Sequence, residues 1–478
     1  MKREKETFLR DIGKDLAEEN IAIFAGAGMS VGVGFVNWSE LLRPIAEELG
    51  LDVDKEQDLV ALAQYHYNEN GNNRSQLNKR LIEEFSRETE VTENHKILSR
   101  LPIRTYWTTN YDKLIEQSLA ATGKIADVKY TKEQLAFTKP KRDAVVYKMH
   151  GDVDHPDQAV LTKDDYERYH VKMDQYLSTL KGDLISKTFI FIGFSFTDPN
   201  LDYILSRVRV AFDRNQRRHY CFIRRVIREQ DESEADFEYK LRKQELFVKD
   251  LNRFNIKAIM IAEYSEITDL LKLVEQQYKR NTIFISGAAH EYGNWNEKES
   301  LKFIHGFSSE LIAKGYRVVS GFGLGVGGSV ITGALEQIYM SSRKNISDQL
   351  ILRPFPQTTI GNVERAELWR RYREDMISHA GIAIFVFGNK QVDGNIVNSD
   401  GMRQEFEIAK QLDVTVIPIG ATGFMAKELW VEEMEAIKTN NKFTDEFKKL
   451  FSELGDESKN FIEISETLFK LLTLIVKR

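Results

Sequence analysis

A single cysteine, Cys221, in a chain of 478 residues excludes an intrachain disulfide and any zinc site built on four thiolates. It lies in the apolar run Tyr220-Cys221-Phe222-Ile223, which predicts a core position. No run approaches the roughly 18 consecutive apolar residues of a membrane span. The first residues, Met1-Lys2-Arg3-Glu4-Lys5-Glu6, are charged where a signal peptide would be apolar, so the expected location is the cytoplasm. With 67 Lys and Arg against 73 Asp and Glu, the formal net charge of −6 does not provide the basic surface that general nucleic-acid binding needs. No Gly/Pro-rich linker, internal repeat or low-complexity tract is evident. What remains is 42% apolar and 29% charged, the balance of a soluble globular protein, at a length that predicts two or three domains.

Strands are predicted at Ile21–Phe24, Arg104–Thr108, Ala144–Met149, Thr188–Ile192, Arg218–Ile223 and Ile256–Ile261. Helical patterns such as Leu59–Glu69 and Tyr111–Ala121 separate them. Alternating strands and helices predict a mainly parallel sheet covered on both faces. After a charged helix, Leu270–Arg280, the pattern starts again, with strands at Thr282–Ser286, Arg317–Ser320, Gln349–Leu352, Ile382–Phe387 and Val414–Ile419. Gly315 is placed to end the helix between the first two of these. The expected domains are therefore 1–280 and 281–478. Glu229–Glu245 reads as a solvated helical face.

Three segments close β-rich apolar runs in the first half: Phe24-Ala25-Gly26-Ala27-Gly28-Met29-Ser30, Thr108-Thr109-Asn110-Tyr111-Asp112 and Lys148-Met149-His150-Gly151-Asp152. In open α/β sheets, ligands bind outside the carboxyl ends of strands. Gly26 and Gly28, followed by Ser30, let a pyrophosphate approach the backbone, but a tight turn without a ligand explains them equally well. Val31 replaces the third glycine of the Rossmann fingerprint, and no P-loop Gly-Lys-Ser/Thr follows. Asn37 reads as a helix N-cap, with Glu40 closing a capping box. Asn110 and Asp112 suit sugar hydroxyls or a held water, or else the capping of the next helix. A lone histidine is more often structural than catalytic, but His150 lies at a strand's carboxyl end beside a glycine that leaves room for a ligand and is a usable base near neutral pH. A fourth segment, Gly193-Phe194-Ser195-Phe196-Thr197-Asp198-Pro199-Asn200, starts a helix at Asp198-Pro199. Its Ser195 and Thr197 are either ribose or phosphate contacts or plain loop hydroxyls.

In this order and spacing, Ala25–Ser30, Thr109–Asp112 and His150-Gly151 resemble the NAD-binding and catalytic motifs of the sirtuin family, over roughly residues 8–275. Sirtuin deacylases also carry a four-cysteine zinc module and an Ile-Pro-Asp-Phe-Arg stretch. Here there is one cysteine, and Gly34-Phe35-Val36-Asn37-Trp38 occupies the corresponding region. The Gly193–Asn200 stretch is instead similar to sirtuin-like domains of bacterial antiviral defence proteins, which hydrolyse NAD. The resemblance implies NAD+ as substrate, with no metal, held by Ala25, Gly26, Gly28, Ser30, Asn110, His150 and Ser195. It implies His150 as base and Asn110 as the residue positioning water or a ribose hydroxyl, with Asp112 third in rank.

The densest glycine cluster, Gly321-Phe322-Gly323-Leu324-Gly325-Val326-Gly327-Gly328, follows a predicted strand. So many glycines cost chain entropy unless the backbone must come close to something, and a phosphate on their N–H groups fits. Arg370, Arg371 and Arg373 are each explained equally well as surface ion-pair residues, Arg373 with Asp375 for example. Lys390 follows a strand through Gly388-Asn389, and Glu405 opens the next helix. With Ser286-Gly287-Ala288, these features resemble the SLOG family of nucleotide-sensing domains.

A sirtuin-like, Rossmann-type parallel-sheet domain followed by a Rossmann-like SLOG domain resembles the NAD-cleaving effectors of the Thoeris antiphage system. That resemblance implies activation by a cyclic ADP-ribose isomer made by a partner TIR-domain protein. The implied contacts are Gly287, Ala288, Gly323, Leu324, Arg373, Lys390 and Glu405. An enzyme that destroys NAD+ must be held off, and moving a switch from 1:99 to 99:1 takes about 5.5 kcal/mol of differential affinity. A homo-oligomer, tetramer or larger, is expected to transmit it. Two rival readings are an NAD-dependent protein deacylase or ADP-ribosyltransferase, and a non-catalytic nucleotide sensor.

Overall fold

The computed structural model describes residues 2–476 apart from 57, 197, 213–215, 343–344, 356–363 and 441–442. The chain divides into two compact units, Met1–Glu275 and Gln276–Arg478. No helix among the described residues is long and apolar enough to cross a membrane.

The first unit holds seven strands, β1 (Ile21–Ala25), β2 (Thr105–Thr108), β3 (Ala126–Lys129), β4 (Ala144–Lys148), β5 (Thr188–Ile192), β6 (His219–Arg224) and β7 (Ile256–Ile261). They form one parallel sheet in the order β3-β4-β2-β1-β5-β6-β7. Every residue of β1 and β5 is buried, because helices cover both faces of a parallel sheet. Ala22, Phe24, Trp107, Phe189 and Phe191 share one core with helix residues such as Leu180, Leu184 and Ile204. Phe24 stacks on Phe191 and meets the edge of Phe194. Cys221 lies in the same core, where burial pushes its thiol up to about 12. Later strands extend the sheet on both sides of β1, so the chain reverses its winding there, and a crevice opens at such a point in α/β sheets.

The second unit has β8 (Thr282–Ala288), β9 (Arg317–Ser320), β10 (Leu350–Leu352), β11 (Ile382–Phe387) and β14 (Thr415–Pro418), paired in parallel in the order β10-β9-β8-β11-β14. Alternate residues feed two cores. Ile283, Ile285, Ile382 and Ile384 face one, while Phe284, Ala383 and Phe385 face the other. The reversal lies between β8 and β11. Gly315 (φ +86°) follows the helix Glu297–Ala313, as expected.

Other expectations need correction. Strand β3 was not anticipated, since Ala-Asp-Val-Lys at a sheet edge has little apolar signal. Nor was the hairpin β12 (Asn389–Val392) with β13 (Asn395–Asn398), although Asp393-Gly394, both at positive φ, is a strong hairpin turn. The helix expected from Tyr111 begins at Leu114, because the carbonyls of Tyr111 and Asp112 are bonded to the Lys148 ammonium. The charged run from Glu229 enters its helix only at Glu234, after a Ser233 cap. Asn37 caps Trp38–Glu48 through the Glu40 N–H, but the Glu40 carboxylate turns to Arg43 and closes no capping box.

Removing the buried Phe24 ring by Phe24→Ala should destabilise the first unit by about 3–5 kcal/mol, whereas Ile462→Ala, at an exposed position, should stay within about 0.5 kcal/mol. Urea unfolding of the two variants checks this, and equal effects would contradict the core assignment.

Candidate functional site

The loop after β1 meets the loop after β5 backbone to backbone. Gly26 N–H donates to Ile192 O (2.9 Å), and Gly28 N–H donates to Gly193 O (3.0 Å). A Cβ on Gly26 would collide with the Gly193 carbonyl, and one on Gly193 (φ +64°) with the Met29 backbone. The protein's own chain therefore requires these glycines. The Gly28 N–H, a donor that a phosphate would have used, is already taken.

Behind that loop, three side chains from the segments that follow β1 and β2 close a buried network. Asn110 Nδ2 donates to Gly26 O and to Ser30 Oγ, both at 3.1 Å. Ser30 Oγ donates to Asp112 Oδ2 (2.8 Å), and Asp112 Oδ1 accepts from Leu114 N–H (3.0 Å), which begins the next helix. Thr108 Oγ1 donates to Ala25 O at 3.0 Å. Asp112 thus orients Ser30 and caps a helix at once. Both amide protons of Asn110 go to the protein, so it has only Oδ1 to offer a ligand. Asn110 is 8% exposed.

His150, 2% exposed, sits just past β4. Its Nε2 lies 2.8 Å from Asp198 Oδ2, and its ring meets the edge of Tyr166 with centroids 5.4 Å apart. Gly151 (φ +97°) leaves no free space beside it, since a Cβ there would lie 3.0 Å from Ala159 Cα. Asp198, expected only as a helix start, does two jobs. It accepts from Asn200 and Leu201 N–H (2.9 and 3.0 Å), and it faces His150. Burial pushes its carboxyl up, but the facing His150 and the helix N–H groups outweigh this and hold it below the usual carboxylate range. An acid closing the strand after the histidine's was the signal available in the sequence. Ser195 is exposed on the same loop, and Thr197 falls outside the described residues.

In the second unit, the carboxyl end of β8 gathers most of the expected ligand residues. A Cβ on Gly323 would collide with Gly287 O, and Ala289 N–H donates to Leu324 O (2.8 Å), so the glycine loop is stitched to Gly287–Ala289. The Leu324 side chain points to solvent, 70% exposed. Ser286 Oγ donates to Glu405 Oε2 (2.6 Å), and Glu405 Oε1 is 3.6 Å from Arg373 Nε. Burial raises the Glu405 carboxyl above its ordinary value. Arg373, 7% exposed, also donates to Gln404 Oε1 (2.9 Å) and lies over the Phe355 ring at 5.0 Å. Arg370 and Arg371 are surface residues paired with Glu374 and Glu367. Asp375 pairs with Arg353, not with Arg373. Glu405 stands mid-helix in Asp400–Gln411 rather than opening it, because Ser399 supplies the cap. Lys390 lies on β12 and pairs with Asp400. It is linked to β8 through its neighbour Asn389, whose Oδ1 accepts from His290 and Glu291 N–H, both at 2.9 Å.

The Asp198 carboxyl is depressed in the folded state. Its stabilisation is therefore complete above the unfolded value of about 3.9 and is lost as pH falls through the folded one. Asp198→Asn should cost about 1–3 kcal/mol at pH 6 and less at pH 3. Urea midpoints at the two pH values test this, and a pH-independent difference would refute it.

A SIR2-like domain family matches residues 104–246, a stretch with Asn110, Asp112, His150 and Ser195 but not the glycines after β1. The family described as Sir2- and TIR-associating SLOG (STALD) matches residues 266–475. The chain is 55% identical over 471 residues to the NAD(+) hydrolase ThsA of Bacillus cereus (strain MSX-D12), covering 98% of each chain. It is 48% identical to the NAD(+) hydrolase ThsA of Cytobacillus dafuensis, covering 99% of this chain and 97% of that one. It is 26% identical over 210 residues to defense-associated sirtuin 2 of Bacillus subtilis, covering 42% of this chain and 20% of that protein. With two parallel α/β sheets in series, and such identity along nearly the whole length, the chain belongs to the ThsA family.

Proposed function

We propose that the first unit hydrolyses NAD+ to nicotinamide and ADP-ribose, and that a cyclic ADP-ribose isomer bound to the second unit switches it on. One observation carries the reading: Asn110 and His150 come from the neighbouring strands β2 and β4, beside Ser30 from β1, at their carboxyl ends. The names of the relatives agree with it. In the reaction the bond between ribose C1′ and the nicotinamide nitrogen breaks. Its electron pair neutralises the pyridinium, so the leaving group needs no acid. Water oxygen bonds to C1′ and gives up one proton, which His150 accepts. Asn110 Oδ1 holds the water or a ribose hydroxyl, and Asp198 faces the other side of the imidazole. A positioned base supplies roughly 10²–10⁴-fold.

Both reactive side chains are nearly shut off from solvent, which supports a resting state that opens on demand. Arg373, Glu405, Lys390 and the Gly321–Gly328 loop, with Gly287, Ala288, Gly323 and Leu324, suit an anionic nucleotide as the opening ligand. The name of the SLOG family supports a TIR-domain protein as its source, and that of defense-associated sirtuin 2 supports a defence role. The setting we propose is a cytoplasmic homo-oligomer, tetramer or larger, that depletes NAD+ during phage infection.

The purified protein incubated with NAD+ and cyclic ADP-ribose isomers should release nicotinamide and ADP-ribose without a protein acceptor. Intact NAD+ under every condition would refute the reading, and ADP-ribose attached to protein would favour a transferase. His150→Ala and Asn110→Ala should lower turnover at least 10²-fold while leaving isomer binding intact. Arg373→Ala should abolish the response to the isomer; an unchanged response, followed by nicotinamide release, would place the activator elsewhere.

A further inference from the structure

Lys148, the last residue of β4, is completely buried, and no step above uses it. Its ammonium is 3.0 Å from Tyr111 O and 2.6 Å from Asp112 O, both in the loop that carries Asn110. It is 2.6 Å from Asp152 Oδ2, in the turn that carries His150, and 3.2 Å from Glu116 Oε1, in the first turn of the helix Leu114–Ala121. Two backbone bonds run alongside, Met149 N–H to Thr108 O (2.8 Å) and Val153 N–H to Tyr111 O (3.1 Å). Asp152 Oδ1 in turn accepts from Asp154 N–H at 2.9 Å, which fixes the far side of the turn.

Burying an ammonium is costly unless it is fully paired, and an apolar side chain of the same volume is often at least as stabilising. Packing alone therefore does not call for a lysine here. Burial pulls this lysine's pKa down, but the Glu116 and Asp152 carboxylates outweigh that and raise it above the ordinary value, so it stays charged. Three of its four acceptors, Tyr111 O, Asp112 O and Asp152 Oδ2, belong to two loops that each carry one reactive side chain, and an apolar residue could not join them.

We propose that Lys148 is a positioning residue that locks the Asn110 loop and the His150 turn into one register. The proposal rests on Asn110 and His150 acting in NAD+ cleavage. Lys148 itself touches no reacting atom. Its effect lies in the distance between two groups that must act on the same water and ribose, where a shift of about 1 Å costs on the order of 100-fold.

The test uses the full chain under the conditions in which the unaltered protein turns over NAD+. Lys148→Met should lower kcat about 100-fold while KM for NAD+ moves less than about threefold. The triple variant Lys148→Met/Glu116→Gln/Asp152→Asn removes the unpaired buried carboxylates. It should regain the urea midpoint of the unaltered protein but not its kcat. A triple variant with near-native kcat would show that the lysine only balances charge, and would overturn the proposal. Native kcat in Lys148→Met would do the same. If neither variant folds, Asp152→Asn, which keeps shape and lysine, should still lower kcat about tenfold, and native kcat there counts against the register role. Amide hydrogen exchange supplies a readout that does not depend on turnover. Residues 110–114 and 149–153 should lose protection together in Asp152→Asn and in whichever Lys148 variants fold. Loss in only one segment overturns the tether. An unaltered protein that releases no nicotinamide would instead defeat the functional reading, leaving the exchange result to judge the tether alone.

Discussion

The first unit is organised around a backbone approach so close that it admits no side chain, that of the Gly26–Gly28 turn against Gly193. It follows from β1 and β5 being adjacent and buried along their whole length, so that the loops leaving their carboxyl ends must pass each other. Once that turn is pinned, its carbonyl at Gly26 faces the Asn110 amide, and its Ser30 hydroxyl bridges Asn110 and Asp112. The geometry at the head of β2 is therefore set from β1. Glycines that look like a phosphate loop are in the first place a packing requirement, and any ligand they hold must fit around bonds already made.

The second half of the site is held by charge. Asp198 answers His150 across the end of the sheet, and Lys148 gathers carbonyls and carboxylates beneath the Asn110 loop. Groups of this kind are destabilising when unpaired and nearly neutral when fully paired. Their contribution is to geometry more than to overall stability. The second unit repeats the pattern, with Ser286, Glu405 and Arg373 joined beneath the loop after β9, although here an aromatic ring takes part in holding the arginine. Both units place buried polar groups where the winding of the sheet reverses, the place where an α/β sheet leaves a crevice.

Much of this could be read in advance because parallel strands are near-continuous apolar runs. Ile21–Phe24, Thr188–Ile192 and Ile382–Phe387 fall within a residue of the observed strands for that reason. Polar edges were harder. Ala126–Lys129 carries little apolar signal, and the strands around Asp393-Gly394 are short and mostly polar, so only the turn itself marks that hairpin. The helix expected from Tyr111 starts three residues late, since a buried lysine distant in sequence captures two carbonyls that a helix would have used.

From the sequence alone came the two α/β units, the strand ends at which reactive residues collect, and the identity of Asn110, His150, Arg373 and Glu405 as residues worth attention. The units and strand ends follow from residue type and local periodicity, which are properties of neighbours along the chain, whereas the choice of Arg373 and Glu405, and the roles of Asn110 and His150, came with the family resemblance. Only the tertiary structure decided what each of those residues touches. It paired His150 with Asp198, gave Asp375 to Arg353 and Glu405 to Arg373, and set the Lys148 ammonium between two loops. Such pairings depend on strand order and register, which bring together residues as distant in sequence as Ser286 and Glu405, 119 positions apart. No local pattern encodes that distance.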